Sequence, residues 1–253
     1  MNTRTERRLE WDACYNARDL GGYPTADGME IRWGALVRSD NLGHLTAIGH
    51  TALVEYGVSL IIDLRATWEC DSFPHFFQGT CAGLPVYLSL PLEQEDDLAK
   101  AARDAAGSLQ EWNCLVLEQS PAQMAAIVRA VVGAGPGGVL VHCHAGKDRT
   151  GLVVALLLAL AGVPHQLIAE DYAASAAGLQ PLFDGWLAEV ADDPLQHAKL
   201  ARDLSALPET MLGVLNYLET RYGGAAGYLR TAGVTAQELR AIRVRLCEKP
   251  SAS

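Results

Sequence analysis

The run His142-Cys143-His144-Ala145-Gly146-Lys147-Asp148-Arg149-Thr150-Gly151 gathers a thiol, an ammonium, a carboxylate and a guanidinium within ten residues. Cys143 and Arg149 stand with five residues between them, after the apolar run Val139-Leu140-Val141 and before the apolar stretch from Gly151 to Ala161. That order predicts strand, tight loop, helix. Such a loop turns its peptide N–H groups inward at the positive end of a helix, which makes an anion site with a sulfur at its base. A thiol attacks as the thiolate, and a helix N-terminus with cations close by favours that form. Arg149 is planar and permanently charged, so it can hold two oxygens of a tetrahedral anion as a fork.

A phosphoryl group seated in this loop would react in two displacements. Cys143 attacks phosphorus while a general acid protonates the departing oxygen, and water then hydrolyses the phosphocysteine. The loop residues His144, Ala145, Gly146, Lys147, Asp148 and Arg149 supply the phosphate contacts, so no metal and no organic cofactor is expected. Gly146 lets the backbone bend so that the amides converge. The Thr150 hydroxyl can donate to the sulfur and help it leave. Read as a buried core thiol, Cys143 would leave Lys147, Asp148 and Arg149 unexplained in an apolar neighbourhood. Three adjacent residues, His142, Cys143 and His144, cannot all face one ion, and the chain has no Cys-x-x-Cys pair to complete a metal site.

These residues resemble the signature of the cysteine-dependent phosphatases, and within them the atypical bacterial tyrosine phosphatase family, whose loop reads His-Cys-x-Ala-Gly-Lys-Asp-Arg-Thr-Gly. Other segments resemble that family too: Asn16-Ala17-Arg18-Asp19-Leu20-Gly21-Gly22, Leu36-Val37-Arg38-Ser39-Asp40, Ile61-Ile62-Asp63-Leu64-Arg65, and Tyr222-Gly223-Gly224 with Tyr228-Leu229. The resemblance spans roughly residues 12–247, with only the loop sharply diagnostic. It implies a phosphoric monoester hydrolase acting on phosphotyrosine in protein, with phosphoserine, phosphothreonine or phosphoinositides as alternative substrates. Lys147 resembles the loop lysine of lipid-active relatives, including the tumour-suppressor phosphoinositide phosphatase. Asp148, directly before the arginine, resembles the myotubularin lipid phosphatases. Both lean the expectation toward broad or lipid substrates.

The Trp-Pro-Asp acid loop of the common tyrosine phosphatases is missing from this sequence. Two aspartates are candidates for the general acid. Asp63 ends the apolar run from Val58 to Ile62, at the carboxyl edge of a sheet where α/β sites form. Asp148 lies in the loop itself and is slightly favoured through the myotubularin likeness. Either could instead be structural. Arg18, Asp19, Arg38 and His142 are expected to brace the loop or touch substrate, with a surface or capping role as the alternative for Arg18, Asp19 and Arg38.

The chain has 253 residues, 49% apolar, with a formal net charge of −10. That fits one phosphatase domain over residues 1–253. An acidic chain is a poor nucleic-acid binder, and an anionic substrate must be drawn by a local positive pocket. Six cysteines without framework spacing read as reduced thiols of a cytoplasmic protein. The charged N-terminus lacks an apolar leader, leaving only export by a non-classical route, and no apolar run is long enough to span a bilayer.

Strands expected at 58–63, 84–90 and 139–141 alternate with helices at 47–56, 121–132, 151–163, 164–177, 208–222 and 236–247. Asp27-Gly28 signals a hairpin within 22–38, and 179–207 reads as irregular, broken at Asp192-Asp193-Pro194. The fold class is therefore α/β, a central, largely parallel sheet flanked by helices, cysteine-phosphatase-like by the resemblance. Residues 92–119 are expected to form a helical lid inserted over the site, as the resembling family has hereabouts, with an ordinary helical flank as the alternative. A phospho-binding module without turnover, another thiol enzyme and a metal-dependent hydrolase remain competing readings.

Overall fold

The computed structural model describes residues 6–79, 83–93 and 96–250. Among these, the strands are β1 (Arg18–Asp19), β2 (Glu30–Ile31), β3 (Leu36–Ser39), β4 (Val58–Asp63), β5 (Val86–Ser89), β6 (Gly138–His142) and β7 (Cys247–Glu248). Five of them build the main sheet in the order β1-β3-β6-β4-β5, parallel except for β1. The apolar runs of β4 and β6 are buried on both faces, as parallel strands covered by helices must be. Their side chains alternate between two cores. Val139, Val141 and Cys143 face one, and Leu140 faces the other. The register sets Ser39, His142 and Asp63 side by side at the carboxyl edge. The chain leaves that edge through Cys143.

The helices are α1 (Ala47–Glu55), α2 (Thr67–Ser72), α3 (Asp97–Asp104), α4 (Leu109–Gln119), α5 (Pro121–Gly133), α6 (Asp148–Ala161), α7 (His165–Glu189), α8 (Pro194–Leu204), α9 (Pro208–Tyr222), α10 (Ala225–Thr231) and α11 (Ala236–Leu246). The sheet with its helices makes the expected α/β architecture. α6 is buried continuously from Thr150 to Leu158, which a helix apolar on every side requires. At Gly151 a Cβ would stand 2.9 Å from the Tyr172 ring, so glycine lets α7 lie close against α6. No described helix is long and apolar enough to cross a membrane.

Three expectations change. Residues 179–207 are mostly helical, because α7 continues through Pro181 to Glu189. Pro181 removes one N–H from the ladder, yet Leu179 and Phe183 on either side remain 0% and 5% exposed, and their packing holds the helix. Asp192-Asp193-Pro194 is a helix start, where the Asp193 side chain caps the amides of Leu195 and Gln196. Residues 22–38 turn at Thr25–Met29 with a bridge from Pro24 to Glu30, but β2 pairs with the distant β7 and β3 enters the main sheet.

The 92–119 segment divides in two, with Gln94 and Glu95 outside the described residues. α3 is peripheral, burying Ala99 and Arg103. α4 sends Val116 and Leu117 into the main core.

Candidate active site

The loop after β6 is held from outside by its carbonyls. Asn41 N–H donates to His144 O at 2.9 Å. Asn16 Nδ2 donates to the carbonyls of Ala145 and Gly146 at 3.1 Å each. Arg38 Nη2 donates to Gly146 O at 2.6 Å and to Lys147 O at 3.2 Å. In trans peptides the N–H points opposite to the carbonyl, so the amides of Ala145, Gly146, Lys147 and Asp148 face the loop interior. Gly146 has φ +66°, and a Cβ there would fall 2.2 Å from Ser39 O, so no other residue fits this bend. Cys143 sits at the base, 2% exposed. A cavity of about 200 Å³ opens above it, with His144, Ala145, Asp148 and Arg149 as its wall and Glu93 and Trp112 as its roof.

Arg149 is oriented by two carboxylates. Glu69 takes both terminal nitrogens, Nη1 at 2.5 Å and Nη2 at 2.8 Å, while Glu93 Oε1 lies 3.3 Å from Nε. Burial alone would lower the Arg149 pKa, but the Glu69 hydrogen bonds and the Cys143 charge push it above its ordinary value. Burial would raise Glu69, yet Arg149 holds that carboxyl below its usual range. Both groups are therefore ionised.

Arg18 and Arg38 brace the loop. Arg18 Nε meets Asp171 Oδ1 at 2.8 Å, Arg38 Nη1 meets Asp171 Oδ2 at 2.5 Å, and Arg18 Nη1 holds Asn16 Oδ1 at 2.5 Å. Asp171 would be raised by its burial, but the two guanidinium groups outweigh this and lower it. Asp19 lies elsewhere. It accepts from Gly21 N at 2.9 Å, Gly34 N at 2.7 Å and the Tyr56 hydroxyl, and so orders the Gly21-Gly22 turn.

The two candidate acids separate. Asp63 is fully buried, held by Arg65 through Nε at 3.0 Å and Nη2 at 2.8 Å and by Tyr87 OH at 3.0 Å. His75 and His142 approach it at 3.5 Å. Burial would raise this carboxyl, but His142, His75 and Arg65 together hold it far below the carboxylate range. Asp63 does not border the cavity. Asp148 does border it. Its carboxylate meets Lys147 Nζ at 3.0 Å and accepts from Tyr172 OH at 2.7 Å.

Lys147 departs from expectation. Its side chain is 2% exposed, and its ammonium donates to Asp203 O at 3.0 Å and Ser205 O at 2.8 Å. It ties the loop to the α8–α9 connection rather than reaching into the cavity, and only its backbone amide faces the anion position. Thr150 Oγ1 is buried and has no hydrogen-bond partner among the described residues, at the start of the helix that follows the sulfur. His142 donates no contact to the cavity. Its Nδ1 lies 3.2 Å from Cys143 O, and burial lowers its pKa to about 4. His144 stacks on Trp186, with centroids 5.9 Å apart, at the rim.

Asp63, His75 and His142 lie close enough to suggest a metal cluster. His75 Nδ1 accepts from Phe77 N, which leaves the ring hydrogen on Nε2, 3.5 Å from Asp63 Oδ2. With the Arg65 fork also on Asp63, the donor set fits a hydrogen-bonded carboxylate and not a cation.

Glu69 and Asp171 were not foreseen, and Glu93 and Trp112 only as parts of the 92–119 segment expected over the site. The only local signal for Glu69 is its helix-capping position, where Oε2 accepts from Ala66 N at 2.9 Å. Asp171 lies in a helical run with ordinary surface spacing.

The tyrosine phosphatase family description matches residues 9–248. The chain is 35% identical over 235 residues to a tyrosine-protein phosphatase of Nostoc commune, covering 88% of this chain and 78% of that protein. It is 27% identical over 274 residues to the triple specificity protein phosphatase PtpB of Mycobacterium tuberculosis, covering 92% and 97% of the two. With an amide-lined anion cradle closed by a cysteine and an oriented arginine, and a family match over nearly its whole length, the chain belongs to the tyrosine phosphatase family and is a phosphatase.

Proposed function

We propose that the protein hydrolyses phosphotyrosine in protein substrates through a phosphocysteine on Cys143. The observation that carries this is the loop itself: carbonyls fastened outward, amides turned inward, a thiol at the base and Arg149 fixed by Glu69 at its edge. Cys143 Sγ attacks phosphorus in line. The loop amides and Arg149 hold the three equatorial oxygens as the phosphoryl group passes to sulfur. Asp148 gives a proton to the departing phenolic oxygen and, as carboxylate, takes one from the water that cleaves the phosphocysteine. Thr150 donates to the thiolate as it leaves. Residues 1–253 act as one domain, with α3 as the cover over the mouth, where it limits access of water and oxidants to Cys143.

The rim favours an aryl ester. Trp112 roofs the cavity and His144 stacks on Trp186, so a phenyl ring meets flat apolar faces. Lys147 gives phosphoinositides no extra cation, because its ammonium is committed to Asp203 and Ser205. Phosphoserine and phosphothreonine are the second reading, supported by similarity to the triple specificity relative. The scattered cysteines, without framework spacing, support a cytoplasmic location.

The test compares kcat/KM for phosphotyrosine peptides, phosphoserine peptides and several phosphoinositides, with Cys143→Ser as the blank. Phosphotyrosine is expected to lead, with no turnover by the variant. A phosphoinositide preference overturns the substrate assignment, and undiminished turnover by Cys143→Ser overturns the mechanism.

A further inference from the structure

Glu93 lies against Arg149 at the cavity. Its Oε1 lies 3.3 Å from Arg149 Nε, the edge of the guanidinium that Glu69 leaves open. Its other oxygen, Oε2, lies 3.1 Å from Arg103 Nε on α3. The four side chains form a chain of alternating charge, Glu69–Arg149–Glu93–Arg103, with Glu93 also roofing the cavity above Cys143.

We propose that Glu93 is an internal stand-in for the substrate phosphate, a latch that occupies Arg149 while the cradle is empty and ties α3 over the mouth. The proposal rests on the phosphatase reading, since it takes Arg149 as the phosphate fork. The argument is one of charge. A phosphoryl dianion seated on the loop brings two negative charges to an arginine that already faces two carboxylates. Like charges at this separation repel strongly where water is scarce, so one carboxylate must yield. Glu69 cannot, because it makes two bonds to Arg149 and a third to Ala66 N, and is nearly buried. Glu93 makes one longer contact, its side chain is 24% exposed, and it stands between β5 and α3. When phosphate takes Nε, Glu93 leaves Arg149, and α3 loses its tie to the loop while Arg103 keeps its 2.7 Å bond to Gln119 on α4. Phosphate binding and the docking of α3 are then two exclusive uses of one arginine edge, coupled reciprocally.

The same carboxylate sets a charge threshold. A monoanion gains less from Arg149 than the dianion does while displacing the same Glu93, so the latch discriminates for doubly charged esters.

The experiment uses full-length protein, inorganic phosphate as probe and p-nitrophenyl phosphate as substrate. In the wild type, amide hydrogen exchange of residues 97–104 is expected to speed up on adding phosphate, compared with chloride at equal ionic strength. In Glu93→Gln those amides are expected to exchange fast without phosphate. The phosphate Ki is expected to fall at least ~5-fold, the low end of coupling between linked binding events. Wild-type exchange that ignores phosphate, or a Ki unchanged or raised in Glu93→Gln, overturns the latch. Loss of the basic limb of the kcat profile in Glu93→Gln with an unchanged Ki makes Glu93 a proton donor and also overturns it. Absence of p-nitrophenyl phosphate hydrolysis by the wild type overturns the phosphatase reading. Hydrolysis with phosphate-insensitive exchange overturns the latch alone.

Discussion

Arg149 and Glu69 meet edge to edge, with Nη1 on Oε2 at 2.5 Å and Nη2 on Oε1 at 2.8 Å. Two parallel bonds fix the guanidinium plane as well as its position. Glu69→Gln keeps the side-chain volume but lets the fork rotate. A misplaced group of this kind costs up to ~10²-fold, so kcat/KM for p-nitrophenyl phosphate is expected to drop by one to two orders of magnitude. A change under about twofold would show that the loop alone orients Arg149.

Asp171 joins Arg18 and Arg38 behind the loop, all three buried. Asp171→Asn leaves two guanidinium groups facing each other without a counter-charge. Breaking a buried pair costs about 3–5 kcal/mol, and urea unfolding should show a loss of that order. Activity should fall with it, because Arg38 holds the carbonyls of Gly146 and Lys147. A loss under ~1 kcal/mol, typical of an exposed pair, would mean that solvent reaches the cluster.

The loop was legible because its parts are contiguous. Cys143, Gly146 and Arg149 act through fixed spacing on one turn of chain, and the apolar runs on either side dictate strand and helix. Arg18 and Arg38 were legible as braces, but the carboxylates that hold the arginines were not. Asp171 reaches the loop only because Gly151 lets α7 approach α6, and Glu69 only because β4 ends beside β6. In sequence, both look like ordinary helix-surface acids. Charge at Lys147 could be read, but not its direction, which depends on carbonyls more than fifty residues away. Helix α7 outran its local signals for a related reason, since buried Leu179 and Phe183 overrule the proline between them.

Lys147→Met removes the tie to Asp203 and Ser205 and leaves Asp148 with one partner fewer. The ammonium does not enter the cavity, so all substrates should suffer alike. The ratio of kcat/KM for a phosphotyrosine peptide to that for a phosphoinositide is expected to stay within about threefold, under 1 kcal/mol of discrimination. A selective collapse of phosphoinositide turnover would return the lysine to the substrate side.

His142 sets a pH dependence of stability. Burial lowers its pKa from 6.5 to about 4. Between these values the unfolded chain binds the extra proton and the native protein does not, so stability falls as pH falls through this window. From pH 7 to pH 5 the group should contribute a loss of roughly 2 kcal/mol. Asp63, held far below the carboxylate range, keeps its charge across the same interval. His142→Gln should therefore flatten the difference between unfolding free energies at pH 7 and pH 5. An unchanged difference would assign the acid sensitivity to other groups, such as His144, which burial also lowers.

Asp148 borders the cavity, as Glu93 does, but it lies beside a phenol that burial and Asp148 itself push well above its ordinary pKa. Tyr172 therefore stays a hydrogen-bond donor and, together with the Lys147 ammonium 3.0 Å away, orients the Asp148 carboxyl at the mouth. General acid catalysis contributes about 10²–10⁴-fold, and the contribution grows as the leaving group becomes more basic. Asp148→Asn should lower kcat for phenyl phosphate within that range and flatten the basic limb of its pH profile. It should slow p-nitrophenyl phosphate much less, because p-nitrophenolate departs without help. Asp63→Asn should leave both limbs in place and reduce stability instead, since Arg65 loses its counter-charge. If Asp148→Asn slows both esters equally and keeps the basic limb, Asp148 only holds Lys147 and Tyr172 in place, and the proton must come from another group at the cavity mouth.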